Sequence, residues 1–259
     1  MTVAVIGGSG FARWDRFRVT ESVEVTTAYA SRPVRLFRGV LGECELMFIP
    51  RHGSDHSLPP HRINYRANIR ALKEVGVDTV LATATVGGIS PAAVPGSLLI
   101  PDQILDYTYG RAHTFFDGED EVVGHVDMTE PYCAALRGRL LEAAQREGIP
   151  VAARGTYAAT QGPRFETPAE IDRLERDGAD VVGMTGMPEA ALAKELQIAY
   201  AAVAIVVNPA AGRADAAISM NTIQRWSAAG RSTAEMLLEA VVLNVRDDVF
   251  PVPPPLTAP

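Results

Sequence analysis

Cysteine, basic charge and long apolar runs are all scarce in this chain of 259 residues. Its two cysteines, Cys44 and Cys133, are too few for a disulfide framework and indicate a reducing compartment. The formal net charge of -7 argues against a nucleic-acid binder, because such proteins rely on a basic surface. No apolar run has membrane-spanning length, and the start MTVAVIGGSG does not resemble a secretion signal. We therefore expect a cytoplasmic protein without nucleic-acid or membrane partners.

Strand-like and helix-like segments alternate along the chain, which predicts an α/β fold: a single domain over residues 1–248 with a mixed sheet surrounded by helices. The predicted strands lie at 3–6, 34–50 (two strands around a turn), 79–84, 97–101, 155–161, 179–184 and 198–208. The predicted helices lie at 62–76, 131–148, 168–178 and 188–196, with a last helix capped by Ser219 and running towards Val245. The proline-rich end, 249–259, cannot pack as helix or sheet, and we expect a flexible tail.

A glycine cluster follows the first predicted strand in the sequence IGGSGF. Its glycines let the backbone approach an anion with exposed N–H groups, and the Ser9 hydroxyl adds a donor. The dinucleotide-binding fingerprint is broken, because Arg13 stands where a glycine or alanine is needed. The cluster therefore indicates an anion site or, as the alternative, a tight turn at a strand end.

Two further strand ends carry groups suited to the same anion. In PRHGSDH, Arg51 presents a fork of donors that matches phosphate oxygens, and His52 can donate a further bond. His56 either serves the same ligand or faces water. The stretch TATVGGI, 83–89, is another strand ending in small residues and glycines. Three such ends imply one anion pocket at one edge of the sheet.

The stretch GPRFETPAE, 162–170, places Phe165 and Glu166 just before a helix that should begin near Thr167 and Pro168. A flat hydrophobic ring beside a hydrogen-bond acceptor suits a planar polar ligand. The structural alternative is a core phenylalanine beside a carboxylate that favours a helix N-terminus.

Several motifs, in this order, resemble those of the trimeric purine nucleoside phosphorylases, within them the branch that handles 5′-methylthio-nucleosides: IGGSG, PRHG, NYRANIRALKEVG, TVGGI, PGSLLIPDQILDYT, GPRFETPAEI and GADVVGMTGMPEAALAKE. The likeness spans about residues 3–245. It implies a barrel-like mixed sheet, a homotrimer or a hexamer of two trimers, and a role in purine salvage. It also implies cleavage of the N-glycosidic bond with inorganic phosphate as co-substrate, without organic cofactor or metal.

The resemblance also implies a role for each matching residue. The phosphate positions are Ser9, Arg51, His52, Thr83, Ala84 and Thr185. Ala84 departs from relatives with Asn or Thr there, so that only its backbone N–H can serve. The base and ribose positions are Phe165, Glu166, Met184 and Asn208, and Arg51, His52 and Asn208 carry the catalysis. His56 and His125 lie near the sugar's 5′ end, with His125 reaching in from a neighbouring subunit.

Two positions predict which base the substrate carries, and two others predict the 5′ substituent of its sugar. Glu166 can accept the N1 proton of a 6-oxopurine, and Asn208 can donate to O6 or N7, where adenine-preferring relatives carry Asp. Met220 and Ile223 suit a methylthio group, unless they are simply core residues. The predicted substrate is S-methyl-5′-thioinosine, giving hypoxanthine and 5-methylthioribose 1-phosphate. A general inosine/guanosine phosphorylase and a 5′-methylthioadenosine phosphorylase are the alternatives within the family. A nucleoside hydrolase and a non-catalytic nucleotide-binding protein are those outside it.

Overall fold

The computed structural model describes residues 2–9, 14, 16–118, 123–215, 218–245 and 248–257. Gly10 and Arg13, from the first glycine cluster, lie outside these ranges. The strands described are β1 Thr2–Gly7, β2 Phe17–Val25, β3 Val34–Leu41, β4 Cys44–Pro50, β5 Val77–Gly88, β6 Leu98–Leu99, β7 Gln103–Asp106, β8 Gly124–His125, β9 Val151–Ala152, β10 Thr156–Ala159, β11 Val181–Gly183, β12 Ala199–Pro209 and β13 Leu256–Thr257. The α-helices are α1 Tyr65–Glu74, α2 Ala134–Arg146, α3 Pro168–Arg176, α4 Gly186–Glu195 and α5 Met220–Val245.

One mixed sheet contains eleven of these described strands. Its main path runs β2-β3-β4-β1-β5-β11-β10-β7, and β12, β6 and β9 form a branch from β5. The shared strand is β5: it pairs in parallel with β1 near its start, antiparallel with β11 at its end, and in parallel with β12 along its length. The predicted α/β fold with a mixed sheet is confirmed.

Helices cover both faces of the sheet because its central strands are apolar on both sides. Val5 belongs to a buried cluster with Leu140 of α2 and Leu238 of α5. Its neighbour Ile6 points to the opposite face and packs in a cluster with Leu72 of α1 and residues of α4. With both faces covered, the ends of the strands remain open for a site.

Local signals place the helix starts where the sequence predicts them. The Thr167 side chain accepts from the Glu170 backbone N–H, and the Glu170 carboxylate accepts from the Thr167 N–H, which completes a capping box before α3. The Ser219 hydroxyl accepts from the backbone N–H of Thr222 at the start of α5. Both predicted caps are confirmed.

Five of the described strands were not predicted: β2, β7, β8, β9 and β13. Strand β2 was not predicted, because it lies at the sheet edge with most of its residues exposed and so lacks a buried apolar pattern. In the proline-rich tail, β13 pairs antiparallel with β8, so part of this segment does join a sheet. Backbone hydrogen bonding there needs no apolar side chain, which is why composition missed it. Within the described ranges, no helix is both long enough and apolar enough to cross a membrane.

Candidate active site

A cavity of about 570 Å³ lies where β1, β4, β11 and β12 end beside the middle of β5. Its lining includes these predicted site residues: Ser9, Arg51, His52, His56, Ala84, Phe165, Glu166, Met184, Thr185, Asn208, Met220 and Ile223. Thr83 and His125 are predicted site residues outside the lining. The structure therefore brings together residues from widely separated parts of the chain.

Close packing beside the cavity explains why residue 8 is a glycine and shows what the Thr83 side chain contacts. A Cβ on Gly8 would lie 2.5 Å from the Thr83 carbonyl oxygen, so a side chain does not fit. The Gly8 N–H donates to the Thr83 hydroxyl over 3.0 Å, and Thr83 is fully buried. The Thr83 hydroxyl thus supports this turn, and its place in the phosphate site remains a prediction. Of the two alternatives, Ala84 faces the cavity.

Arg51 lies in the cavity wall, held by a carboxylate that the sequence analysis missed. Its Nε and Nη2 donate to the two oxygens of Glu189 over 2.7 and 2.6 Å, and its Nη1 donates to the Thr83 carbonyl over 2.8 Å. The Tyr200 hydroxyl donates to Glu189 Oε1 over 2.8 Å. Burial lowers the pKa of Arg51, but the charge and hydrogen bonds of Glu189 outweigh burial and raise the pKa. One N–H on each of Nη1 and Nη2 remains for a ligand.

A signal for Glu189 does exist in the sequence. It is a lone carboxylate in the apolar run GMPEAALA, and α4 turns out to place it in the first helical turn, where the helix dipole favours negative charge. A buried carboxylate there requires a cationic partner. Pattern alone does not tell which arginine supplies it.

The geometry of His52 shows which of its ring nitrogens carries the proton. Its Nδ1 lies 2.8 Å from the Leu58 carbonyl oxygen, which can only accept, so Nδ1 carries the proton. Burial, together with the charges of Arg51 and His56, lowers the pKa of His52 to about 4 despite that bond. The ring is therefore neutral at pH 7, and its Nε2 is an acceptor. Nε2 can accept a hydrogen bond from a protonated oxygen of a ligand.

Glu166 and Asn208 both line the cavity. Glu166 Oε1 accepts from the Thr160 hydroxyl over 2.7 Å. The register of β12 against β5 shifts between Val206 and Asn208, and such a bulge re-aims the side chains that follow it. Asn208 is buried opposite Gly87, and its Nδ2 donates to the Pro209 carbonyl over 2.6 Å. Its second N–H and its amide oxygen are left for a ligand.

One face of α5 closes the cavity. Met220 and Ile223 lie in its first turn, as predicted for the lining, and Ile223 also packs against the hydrophobic core. Further along the same face, three polar residues that were not predicted also line the cavity: Gln224, Ser227 and Arg231. Their three- and four-residue spacing from Met220 was available in the sequence as a signal. Across the cavity, the ring of His56 lies 4.7 Å from that of His52, centroid to centroid.

His125 is exposed on β8, where it pairs with Leu256, and does not reach the cavity of its own chain. Its predicted position in a neighbouring subunit's site remains a prediction.

Comparisons with known proteins agree on the family of the chain. A family model of the Phosphorylase superfamily matches residues 2–243. The chain is 49% identical to a probable S-methyl-5′-thioinosine phosphorylase of Pseudomonas syringae pv. tomato, over 93% of this chain and 99% of that protein. It is 50% identical to the 6-oxopurine nucleoside phosphorylase of Pyrococcus furiosus, over 81% of this chain and 80% of that protein. Among solved structures, it resembles a methylthioadenosine phosphorylase from Schistosoma mansoni in complex with adenine, with a TM-score of 0.91 and 30% identity over 96% of this chain and 93% of that chain.

Proposed function

The chain belongs to the phosphorylase superfamily, within it to the purine nucleoside phosphorylases, and we propose that it cleaves 6-oxopurine nucleosides with inorganic phosphate. The nucleoside we propose is S-methyl-5′-thioinosine, and the products are hypoxanthine and 5-methylthioribose 1-phosphate. The reaction takes phosphate as co-substrate and needs neither an organic cofactor nor a metal ion.

The pairing of Glu166 with Asn208 in one cavity carries this proposal. A 6-oxopurine has a proton on N1, which a carboxylate accepts, and an oxygen at C6, to which an amide N–H donates. Adenine presents a lone pair at N1, which the Glu166 carboxylate repels. Mispairing such groups costs ~1–3 kcal/mol each. Two matched groups therefore favour hypoxanthine or guanine over adenine.

Phosphate is held at the opposite end of the cavity. Its proposed donors are the Ser9 hydroxyl, the free N–H groups of Arg51, and Thr185, which lies at the N-terminus of α4 without capping it through its side chain. The neutral His52 accepts the hydroxyl of monohydrogen phosphate through Nε2. This combination of donors with one acceptor fits a phosphate ion that still carries a proton.

Catalysis follows from where charge develops. As the bond between C1′ and N9 stretches, the ribose becomes cationic and the purine takes the electron pair. A phosphate beneath C1′ stabilises the cation, and one of its oxygens then bonds to C1′. Asn208 donates to the purine as its negative charge grows. Removing one preorganised donor of this kind commonly costs ~3 kcal/mol, about a hundredfold in rate.

The 5′ end decides between two members of this substrate class. Met220 and Ile223 line the cavity with apolar surface, which favours a methylthio group. His56 lines the cavity too, and an imidazole can bond a 5′-hydroxyl. A general inosine/guanosine phosphorylase is therefore the second candidate.

A substrate panel at saturating phosphate tests the proposal. We expect kcat/KM to be highest for S-methyl-5′-thioinosine, lower for inosine and guanosine, and lowest for adenosine and 5′-methylthioadenosine. A preference for inosine over its methylthio analogue would establish the second candidate, and a preference for adenine nucleosides would contradict the base assignment. Base release without phosphate would indicate a hydrolase. NAD binding in calorimetry with no cleavage would indicate a nucleotide-binding protein.

We also propose a homotrimer in the cytoplasm with a role in purine salvage. Two residues at the rim of the cavity support an assembly: Phe165 and Met220 are large apolar side chains that are 45% and 60% exposed in the isolated chain. A neighbouring subunit that covers the cavity mouth would bury them.

A further inference from the structure

Thr160 contacts the base end of the cavity from behind. It follows β10, and its backbone N–H donates to the Gly183 carbonyl over 2.8 Å. Its hydroxyl lies 2.7 Å from Glu166 Oε1 and 3.3 Å from the same Gly183 carbonyl. Thr160 lines a second, smaller cavity of about 190 Å³, whereas Glu166 lines both cavities. The carboxylate thus stands between the hydroxyl and the proposed base site.

The single hydroxyl proton has two acceptors within reach, and the geometry selects the carboxylate. Its contact with Glu166 is the shorter, and a hydrogen bond to a charged acceptor is stronger than one to a neutral carbonyl. No other hydrogen bond to the Glu166 carboxylate occurs among the described residues. Oε1 is therefore occupied by a donor, and Oε2 is left to accept from the ligand.

Arg111 ties Thr160 to the neighbouring segment after β11, which lines the site. Its Nη2 donates to the carbonyls of Thr160 and Gln161 over 3.2 and 2.9 Å. Its Nη1 donates to the Met184 carbonyl over 2.9 Å. A side chain that ties these segments together limits the movement of the Thr160 hydroxyl relative to Glu166.

We propose that Thr160 is a specificity-determining positioning residue, which acts through Glu166 and rests on the proposed function. By donating to Oε1, it keeps Glu166 an acceptor and aims Oε2 at the N1 proton of a 6-oxopurine. Without that bond, the carboxyl group can rotate and its oxygen is no longer aimed at N1. The threonine hydroxyl thereby separates the two purine classes without touching either.

Thr160→Val tests this with little change in shape. We expect kcat/KM for S-methyl-5′-thioinosine to fall about tenfold, the size of one lost hydrogen bond to a charged group. That for 5′-methylthioadenosine should stay constant or rise, and the phosphate KM should not change. Thr160→Ser keeps the hydroxyl and should retain most of the discrimination. Thr160→Ala provides a second variant without the hydroxyl if the valine enzyme is unstable in thermal denaturation.

The outcomes distinguish a failure of the Thr160 proposal from a failure of the proposed function. A wild-type enzyme without preference for the 6-oxopurine nucleoside, or a Glu166→Gln enzyme with unchanged preference, would refute the proposed function itself. If Glu166→Gln loses the preference while both Thr160→Val and Thr160→Ala keep it, the role of Thr160 is wrong. Equal losses for both nucleosides in the Thr160 variants, or a raised phosphate KM, would mean a merely structural role and would also overturn it.

Discussion

At the scale of single residues, the buried pair of Arg51 and Glu189 links stability to phosphate. Glu189→Gln preserves the shape of the side chain but leaves the guanidinium without its counter-charge. We expect the free energy of unfolding to fall by about 3 kcal/mol, because an unpaired buried charge is costly. Phosphate should recover more of this loss in the variant than it adds in the wild type, since the ion then pairs with Arg51. Urea unfolding with and without phosphate measures both effects.

Tyr200→Phe is the matched control, because it removes another hydrogen bond to Glu189 and leaves the charge pair intact. Its response to phosphate should equal that of the wild type. If phosphate stabilises the Glu189→Gln enzyme no more than the wild type, Arg51 does not face the ion and its assignment is wrong.

His52 predicts a pH dependence of stability. Its pKa of about 4 in the folded protein lies below the ordinary 6.5. As pH falls below 6.5, the unfolded chain takes up a proton that the folded protein refuses until about pH 4. Stability is therefore lost through this window, by about 2–3 kcal/mol from this residue. His52→Gln should flatten the decline in urea unfolding between pH 7 and 4.5. The same change at the exposed His61 should leave the slope as it is, and equal slopes for all three proteins would contradict the prediction.

Residue types at strand ends predicted much of the cavity lining. The sequence did not predict which side chains contact each other inside the cavity. An arginine after a strand indicates an anion site because its side chain stays positively charged even when it is buried. Whether Thr83 or Ala84 faces the ligand depends on which side of β5 points inward, and a shift of one residue reverses the answer. The neutral state of His52 depends on a carbonyl six residues away and on burial, neither of which is written in a local motif.

At the scale of elements, hydrophobic period located the buried strands and the amphipathic helices. It missed short or exposed strands such as β2 and β9, whose pairing depends on partners distant in the chain. The bulge in β12 was also hidden, since every residue of Ala199–Asn208 is buried and no alternation marks the shift. Yet that bulge decides where Asn208 points.

The first turn of α5 should set the preference for the 5′ substituent. Met220→Ser removes apolar surface from the cavity, so we expect the ratio of kcat/KM for S-methyl-5′-thioinosine to that for inosine to fall about tenfold. The panel assay on this variant measures the ratio. Met236→Ser is the control, because Met236 is exposed on the same helix away from the cavity. A ratio that both substitutions leave unchanged would make Met220 an ordinary rim residue.

At the scale of the whole molecule, the placement of His125 predicts a site shared between subunits. Neither His125→Ala nor Asn208→Ala protomers should be active alone. Mixed trimers should recover activity, because one site in each then combines an intact Asn208 with an intact His125 from its neighbour. Activity after co-refolding the two variants, with light scattering to confirm the trimer, tests this. Absence of recovery, or a fully active wild-type monomer, would exclude the shared site.

The physical pattern of the sequence alone did not predict how the subunits assemble. Apolar side chains such as Phe165 and Met220 look the same in a sequence whether they face a ligand, a subunit or the core. The trimer entered through resemblance, and the exposed rim is the physical feature that agrees with it. The pairing of β13 with β8 adds that the tail lies against the His125 segment, although its flexibility remains a prediction.

Strand β5 fixes the distance between the two ends of the proposed site. Thr83 and Ala84 lie beside Arg51 at the proposed phosphate end, and Gly87 lies beside Asn208 at the proposed base end. Gly87 lies three positions after Ala84 along the strand, roughly 10 Å at the usual rise. Under the proposed assignment, the spacing between the phosphate-binding and base-binding groups is therefore set by a paired strand at the centre of a sheet, which cannot stretch. Over evolution, such an enzyme would change its substrates by substituting side chains at either end or on α5, and would keep the distance between them.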